Sequence, residues 1–261
     1  MSRSDLLYKT VSSLGFFFSY ECIGLSHIRA RNPAIFVSNH LGSIAPVQIV
    51  LSLPVRLYPW VIAEMTDLRR APLYLLDDFI RPAWHLEGKF GLFASKLVSQ
   101  VAVRLLNGLG SIPIDRSRGV FMGSYHRSLE LLRQGKNLLI FPEDSDAPLD
   151  SETQMRPFMR GFVLLSPMYY RLTGRQLPFY PVAVSSLRKK VAIDRPLYYD
   201  LRYGQDREAI GQFCRHLQAR IEKMYLYLQK TKVIEVDDIP ILFTQETPDE
   251  EELLEVEVGN R

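Results

Sequence analysis

Residues 35–45 read Ile-Phe-Val-Ser-Asn-His-Leu-Gly-Ser-Ile-Ala, an apolar run that ends on Asn39 and His40 and then breaks at Gly42 and Ser43. A histidine side chain titrates near neutral pH, so it suits the task of taking a proton from a hydroxyl as that hydroxyl attacks a carbonyl. Backbone amides in a turn directly after a strand, here at Gly42 and Ser43, suit the negative charge that then develops on the carbonyl oxygen. A histidine base works best with a carboxylate to hold its ring, yet no Asp or Glu occurs from Cys22 to Ala63. A tight acidic group, Glu143, Asp144 and Asp146, follows the apolar run Leu138-Leu-Ile-Phe141.

Positioning such residues takes a frame of strands and helices, and the alternation along the chain suggests an α/β sandwich. Ala34 to Val37 reads as a buried strand and Ala45 to Leu53 as the helix after it. Lys89 to Leu106 places Phe90, Phe93, Leu97, Val101 and Leu105 at three-to-four spacing, which is helical, with Gly108 and Gly110 expected to end it. Phe121 to Arg133 reads as a helix closed by Gly135, and Leu138 to Phe141 as a strand. Pro157 to Leu172 is expected to be helical with Gly174 as its stop, and Phe179 to Val184 to be a strand. Glu208 to Gln229 carries Phe213, Leu217, Ile221, Met224 and Leu228 on one helical face.

At 261 residues, 47% hydrophobic and 23% charged, the chain fits one large domain better than two. Cys22 and Cys214 match no disulfide framework and no metal spacing, so no metal site is expected. The net charge of +3 hides an asymmetry. From Val233 onward there are ten acidic residues and one basic, which leaves 31 basic against 19 acidic in residues 1–232. The body is basic and residues 233–261 read as an acidic, weakly ordered tail. A basic surface favours anionic partners such as phospholipid headgroups, but scattered arginines without a recognisable motif argue against nucleic acid. The eleven uncharged residues Thr10 to Tyr20, with Phe16-Phe17-Phe18, are too few to cross a bilayer, which takes about 20. Within residues 1–24 they suit an interfacial, membrane-binding helix, with Lys9, Arg29 and Arg31 near headgroups, or a buried N-terminal helix of the core. No secretory signal pattern is evident at the start.

Four blocks, in order, carry a family resemblance: Val37-Ser38-Asn39-His40, Gly110-Ser-Ile-Pro-Ile-Asp-Arg116, Leu139-Ile-Phe-Pro-Glu143 and Pro178-Phe-Tyr-Pro-Val-Ala183. The set resembles the glycerophospholipid acyltransferases, in particular the lysophosphatidic acid (1-acylglycerol-3-phosphate) acyltransferase family. The resemblance implies a single α/β domain over residues 25–232, with a mixed central sheet flanked by helices. It implies transfer of a fatty acyl group from acyl-CoA or acyl-carrier protein to a hydroxyl of a lysophospholipid-like acceptor. No cofactor is implied, and the expected place is cytoplasmic, peripheral to the inner face of the membrane.

Residue by residue, the resemblance makes His40 the general base and Gly42-Ser43 the oxyanion turn. Asn39, Arg116 and Glu143 become substrate-binding residues, with Arg160 before Gly161 adding charge. The family has an aspartate five positions after the histidine; here that residue is Ala45. Where the family continues Phe-Pro-Glu with glycine, threonine or serine, and arginine, this chain has Asp144, Ser145 and Asp146. Three readings of Ala45 stay open: a crippled enzyme, a substitute carboxylate from Asp144 or Asp146, or a lipid-binding or scaffold protein of the same fold without acyl transfer. Between the first two blocks, Arg69 to Phe93 is longer and more aromatic than the family minimum. It suits the wall of an acyl-chain groove, contact with a membrane surface, or an ordinary pair of core helices.

Overall fold

The strand at residues 35–38 is apolar at consecutive positions because it is covered on both sides, as central parallel strands are. Ile35, Phe36, Val37 and Ser38 are all buried. The computed structural model describes residues 19–28, 33–40, 45–115 and 122–230. The segment containing Lys9 and Phe16-Phe17-Phe18, the arginines at 29 and 31, and the acidic tail lie outside the described residues.

The strands are β1 (Glu21–Ile23), β2 (Ile35–Ser38), β3 (Leu57–Ile62), β4 (Ile112–Ile114), β5 (Asn137–Ile140), β6 (Pro178–Ser185), β7 (Lys190–Ile193) and β8 (Leu197–Tyr198). They form one sheet in the order β1-β7-β6-β2-β5-β3-β4, with β8 on β6. From β6 through β2, β5, β3 to β4 every pairing is parallel. β7 and β8 run antiparallel to β6, so the sheet is mixed, as the resemblance implied. β3 escapes a reading by pattern because Pro59 interrupts it, and a proline normally marks a strand edge.

Helix α1 (Ala45–Ser52) covers one face, where Ile49, Val50 and Leu53 meet Phe36, Leu139, Tyr180 and Val182. Helices α5 (Met122–Arg133), α6 (Leu165–Thr173) and α7 (Arg207–Lys230) cover the other, against Ile35, Val37, Leu138, Ile140 and Phe179. Between β3 and β4 the chain makes α2 (Ala71–Leu75), a π-helical turn, α3 (Arg81–Trp84) and the long α4 (Gly88–Leu109). Among the described residues no helix is long and apolar enough to cross a membrane.

Two boundaries differ from the expectation. Gly108 lies inside α4, and the helix ends instead at Gly110, whose φ of +81° lets Ser111 N–H reach back to the Leu106 carbonyl at 3.1 Å. Residues 157–159 are extended, with a 3-10 turn over Arg160–Leu164 before α6 begins. There the Asp144 N–H donates to the Pro157 carbonyl (2.9 Å) and the Met159 N–H to the Pro142 carbonyl (2.8 Å). Pairing with a distant loop has overridden a locally helical pattern.

Candidate active site

Parallel strands all point their carboxyl ends the same way, and the crevice outside those ends is where open α/β sheets hold ligands. β2 pairs with β5 so that Ile35 faces Leu138 and Val37 faces Ile140. Carried past the strand ends, that offset sets His40 opposite Glu143. The Glu143 carboxylate takes over from the ladder: Oε1 accepts the His40 backbone N–H at 2.6 Å, and Oε2 accepts the Arg156 N–H at 3.0 Å. One side chain thus ties the end of β2 to the returning loop. Glu143 is buried, and burial pushes its carboxyl above the ordinary carboxylate range while the two amide bonds pull it back.

On the other side of β2, Asn39 is fully buried and joins β6 through both ends of its amide. Nδ2 donates to the Val184 carbonyl (3.1 Å) and Oδ1 accepts the Val184 N–H (2.9 Å). This two-point bond sets which way the amide faces. Asn39→Ala removes both bonds and strands two backbone groups, so a loss of about 2–3 kcal/mol is expected. In a domain of this size that lowers the melting temperature by about 5 °C or more. A thermal melt superimposable on the wild type would show that the lock contributes nothing.

With its backbone held on one side by Glu143 and its neighbour Asn39 locked on the other, His40 presents an exposed side chain at the strand end. Its ring meets Phe141 edge to face, with centroids 5.3 Å apart and an interplanar angle of 82°. The residues that follow, 41–44, lie outside the described residues, and with them Gly42 and Ser43. α1 starts at Ala45, which carries no carboxylate.

Of the two acids weighed as substitutes, Asp144 Oδ1 accepts the Asp146 N–H (3.1 Å), and Asp146 Oδ1 accepts the Ser145 hydroxyl (3.3 Å). Both therefore make bonds within their own loop. Arg160 is exposed at the start of the 3-10 turn, and its guanidinium lies against α7 at Gly211. Arg116 lies outside the described residues. The strand before it, β4, ends at Ile114 on the same side of the sheet, three strand spacings from β2, or about 14 Å.

Pattern reading alone misses Val184, Phe141 and Arg156. Val184 acts through backbone atoms, which leave no mark on residue type, and Arg156 acts on Glu143 through its backbone N–H as well as its charge.

Residues 88–185 match the model of the acyltransferase family. Over this stretch the chain is similar to the acyltransferase family. The matched acyltransferase segment holds the blocks at Gly110–Arg116, Leu139–Glu143 and Pro178–Ala183, and begins after Asn39-His40. Tertiary structure adds that first block to the segment, through the Glu143 and Val184 bonds. Among solved structures, the chain is similar to the 1-acyl-sn-glycerophosphate (LPA) acyltransferase PlsC from Thermotoga maritima. The TM-score is 0.52 at 14% identity, over 88% of this chain and 83% of that one. At that identity the likeness carries the fold, to which the matched segment contributes β4, β5 and β6. A comparison with curated protein sequences finds no match.

Proposed function

We propose that this protein transfers a fatty acyl group from acyl-CoA or acyl-carrier protein to a hydroxyl of a lysophospholipid-like acceptor, working at the cytoplasmic face of a membrane. The observation that carries the reading is the meeting of His40 and Glu143 just past the carboxyl ends of β2 and β5, with Asn39 locked to β6 beside them. They come from two of the four blocks, and Asn39 bonds to Val184 at the edge of a third. The name of the Thermotoga protein supports an acyl-glycerophosphate type of acceptor, and the basic body supports an anionic one.

In the reaction, a His40 ring nitrogen takes the proton of the acceptor hydroxyl while its oxygen bonds to the thioester carbonyl carbon. The carbonyl electrons move onto oxygen, where turn amides beyond His40 stabilise them. The His40 N–H itself is engaged by Glu143 and is not one of those donors. Collapse breaks the carbon–sulfur bond, and the proton on His40 passes to the leaving thiolate. The four steps balance as one ester gained and one thioester lost.

Purified protein, supplied with each donor and a panel of lysophospholipids, should yield the acylated lipid by mass spectrometry. A folded protein that acylates none of them with either donor would overturn the assignment. The second reading, a catalytically silent lipid-binding or scaffold protein, is favoured by one observation, the alanine at 45. Ala45→Asp tests it. The first turn of α1 holds no acid, and an aspartate there suits the helix N-terminus, so the fold should accept it. If the missing carboxylate is what limits the base, the rate should rise about tenfold or more, the size of effect an orienting partner has on a histidine. A level or lower rate in an active protein would mean that His40 is already oriented by another group. No acylation by either form points to the silent protein.

A further inference from the structure

Helix α4 is turned inside out. Its outward face carries Phe90, Phe93, Leu97 and Val101, at 81%, 71%, 60% and 65% exposure. Its inward face carries Gly91, Ser95, Ser99 and Val103, all buried. The Ser95 hydroxyl donates to the Pro72 carbonyl at the start of α2. A Cβ on Gly91 would fall 2.5 Å from the Leu86 carbonyl oxygen, so only glycine permits that approach. A helix bathed in water has the reverse arrangement, with the large apolar side chains turned in. Small residues packed inward and large apolar ones turned out is the arrangement of helices whose outer solvent is lipid.

We infer that the outer face of α4 is the surface by which this protein docks on an anionic phospholipid bilayer, lying in the plane of the interface. The inference deepens the proposed function by assigning its membrane contact to a particular face. The charges agree with it. α4 carries Lys89, Lys96 and Arg104, all exposed, and no Asp or Glu. On a helical wheel Lys89 and Lys96 lie along one edge of the apolar stripe and Arg104 falls within it near the last turn, where long basic side chains reach headgroups while their stems stay in the apolar layer. With three charges in 22 residues the helix lies on a bilayer and does not cross it. A second copy of the chain is a poorer occupant, because apposing two such faces brings six cations together with no acid on either helix.

The test is flotation of the full chain with vesicles of phosphatidylglycerol and phosphatidylcholine, or of phosphatidylcholine alone. The wild type should float with the anionic vesicles and lose binding as salt is raised. Leu97→Glu combined with Val101→Glu should cut the bound fraction by about tenfold or more, since both sites then oppose apolar contact and anionic headgroups. Both side chains are mostly exposed, so the melting temperature and acyl transfer to a detergent-dispersed acceptor should hold. Unchanged flotation of the double variant overturns the inference. So does a wild-type dimer that the same substitutions split, which would make the face a contact between copies. A fall in melting temperature with flotation retained also overturns it, by showing that the face is covered within the molecule. Normal docking by a protein that transfers no acyl group would sink the proposed reaction and leave the docking face standing.

Discussion

His40→Ala is expected to lower kcat/KM for acyl transfer by about a thousandfold, the middle of the range for loss of a positioned general base. Stability should barely change, and the geometry says why. The buried tie at this residue runs from Glu143 to the His40 backbone N–H, which alanine also has. What alanine removes is an exposed ring, and with it the edge-to-face pair with Phe141. The expected signature is therefore a split, with turnover lost and the melting curve kept. A variant that keeps more than about a tenth of the wild-type rate would exclude His40 as the base, since general-base contributions are at least about a hundredfold.

Glu143→Ala should do the opposite and damage both. Two backbone N–H groups, of His40 and Arg156, lose a buried acceptor, and stranding each costs about 1–3 kcal/mol. Activity should fall by about a hundredfold, because the end of β2 that carries His40 is no longer held in register with the loop, and small misplacements at a reacting centre have effects of that size. Glu143→Gln keeps the shape and one acceptor oxygen but turns an NH2 toward one of the two donors, so it should fall between. The carboxyl also gives a pH signature. Burial raises its value in the folded state, so between its ordinary and raised values the folded protein holds the proton that the unfolded chain has lost. Stability should accordingly decline as pH rises through that window, and Glu143→Gln should flatten the slope. Urea midpoints across that range check it. Equal slopes in the two proteins would show that Glu143 ionises in the fold as it does in water.

The difference between these two variants follows from a division of labour within one pair of neighbours. His40 offers its side chain to the solvent-facing crevice and its main chain to the scaffold, whereas Glu143 is spent on scaffold. An account from residue types alone sets both among the groups that face substrate.

Much of the frame was legible without coordinates. β2, α1, β5, α5, β6 and α7 announce themselves because a strand buried on both sides must be apolar throughout, and a helix on a sheet must be apolar at three-to-four spacing. The four blocks and their order pointed to the acyltransferases because a proton acceptor and its turn are local features, written within a few residues. Contacts across the sheet are not written that way. That His40 meets Glu143, 103 residues away, depends on β5 inserting beside β2 in a parallel register that places the two strand ends level. That Asn39 is a lock depends on β6 lying on the other side. The facing of α4 is the clearest case. The spacing of Phe90, Phe93, Leu97 and Val101 says that the helix has an apolar stripe, but periodicity carries no direction. Only the close packing of Gly91, Ser95 and Ser99 against the preceding helices turned the small side inward and left the large apolar side chains outside.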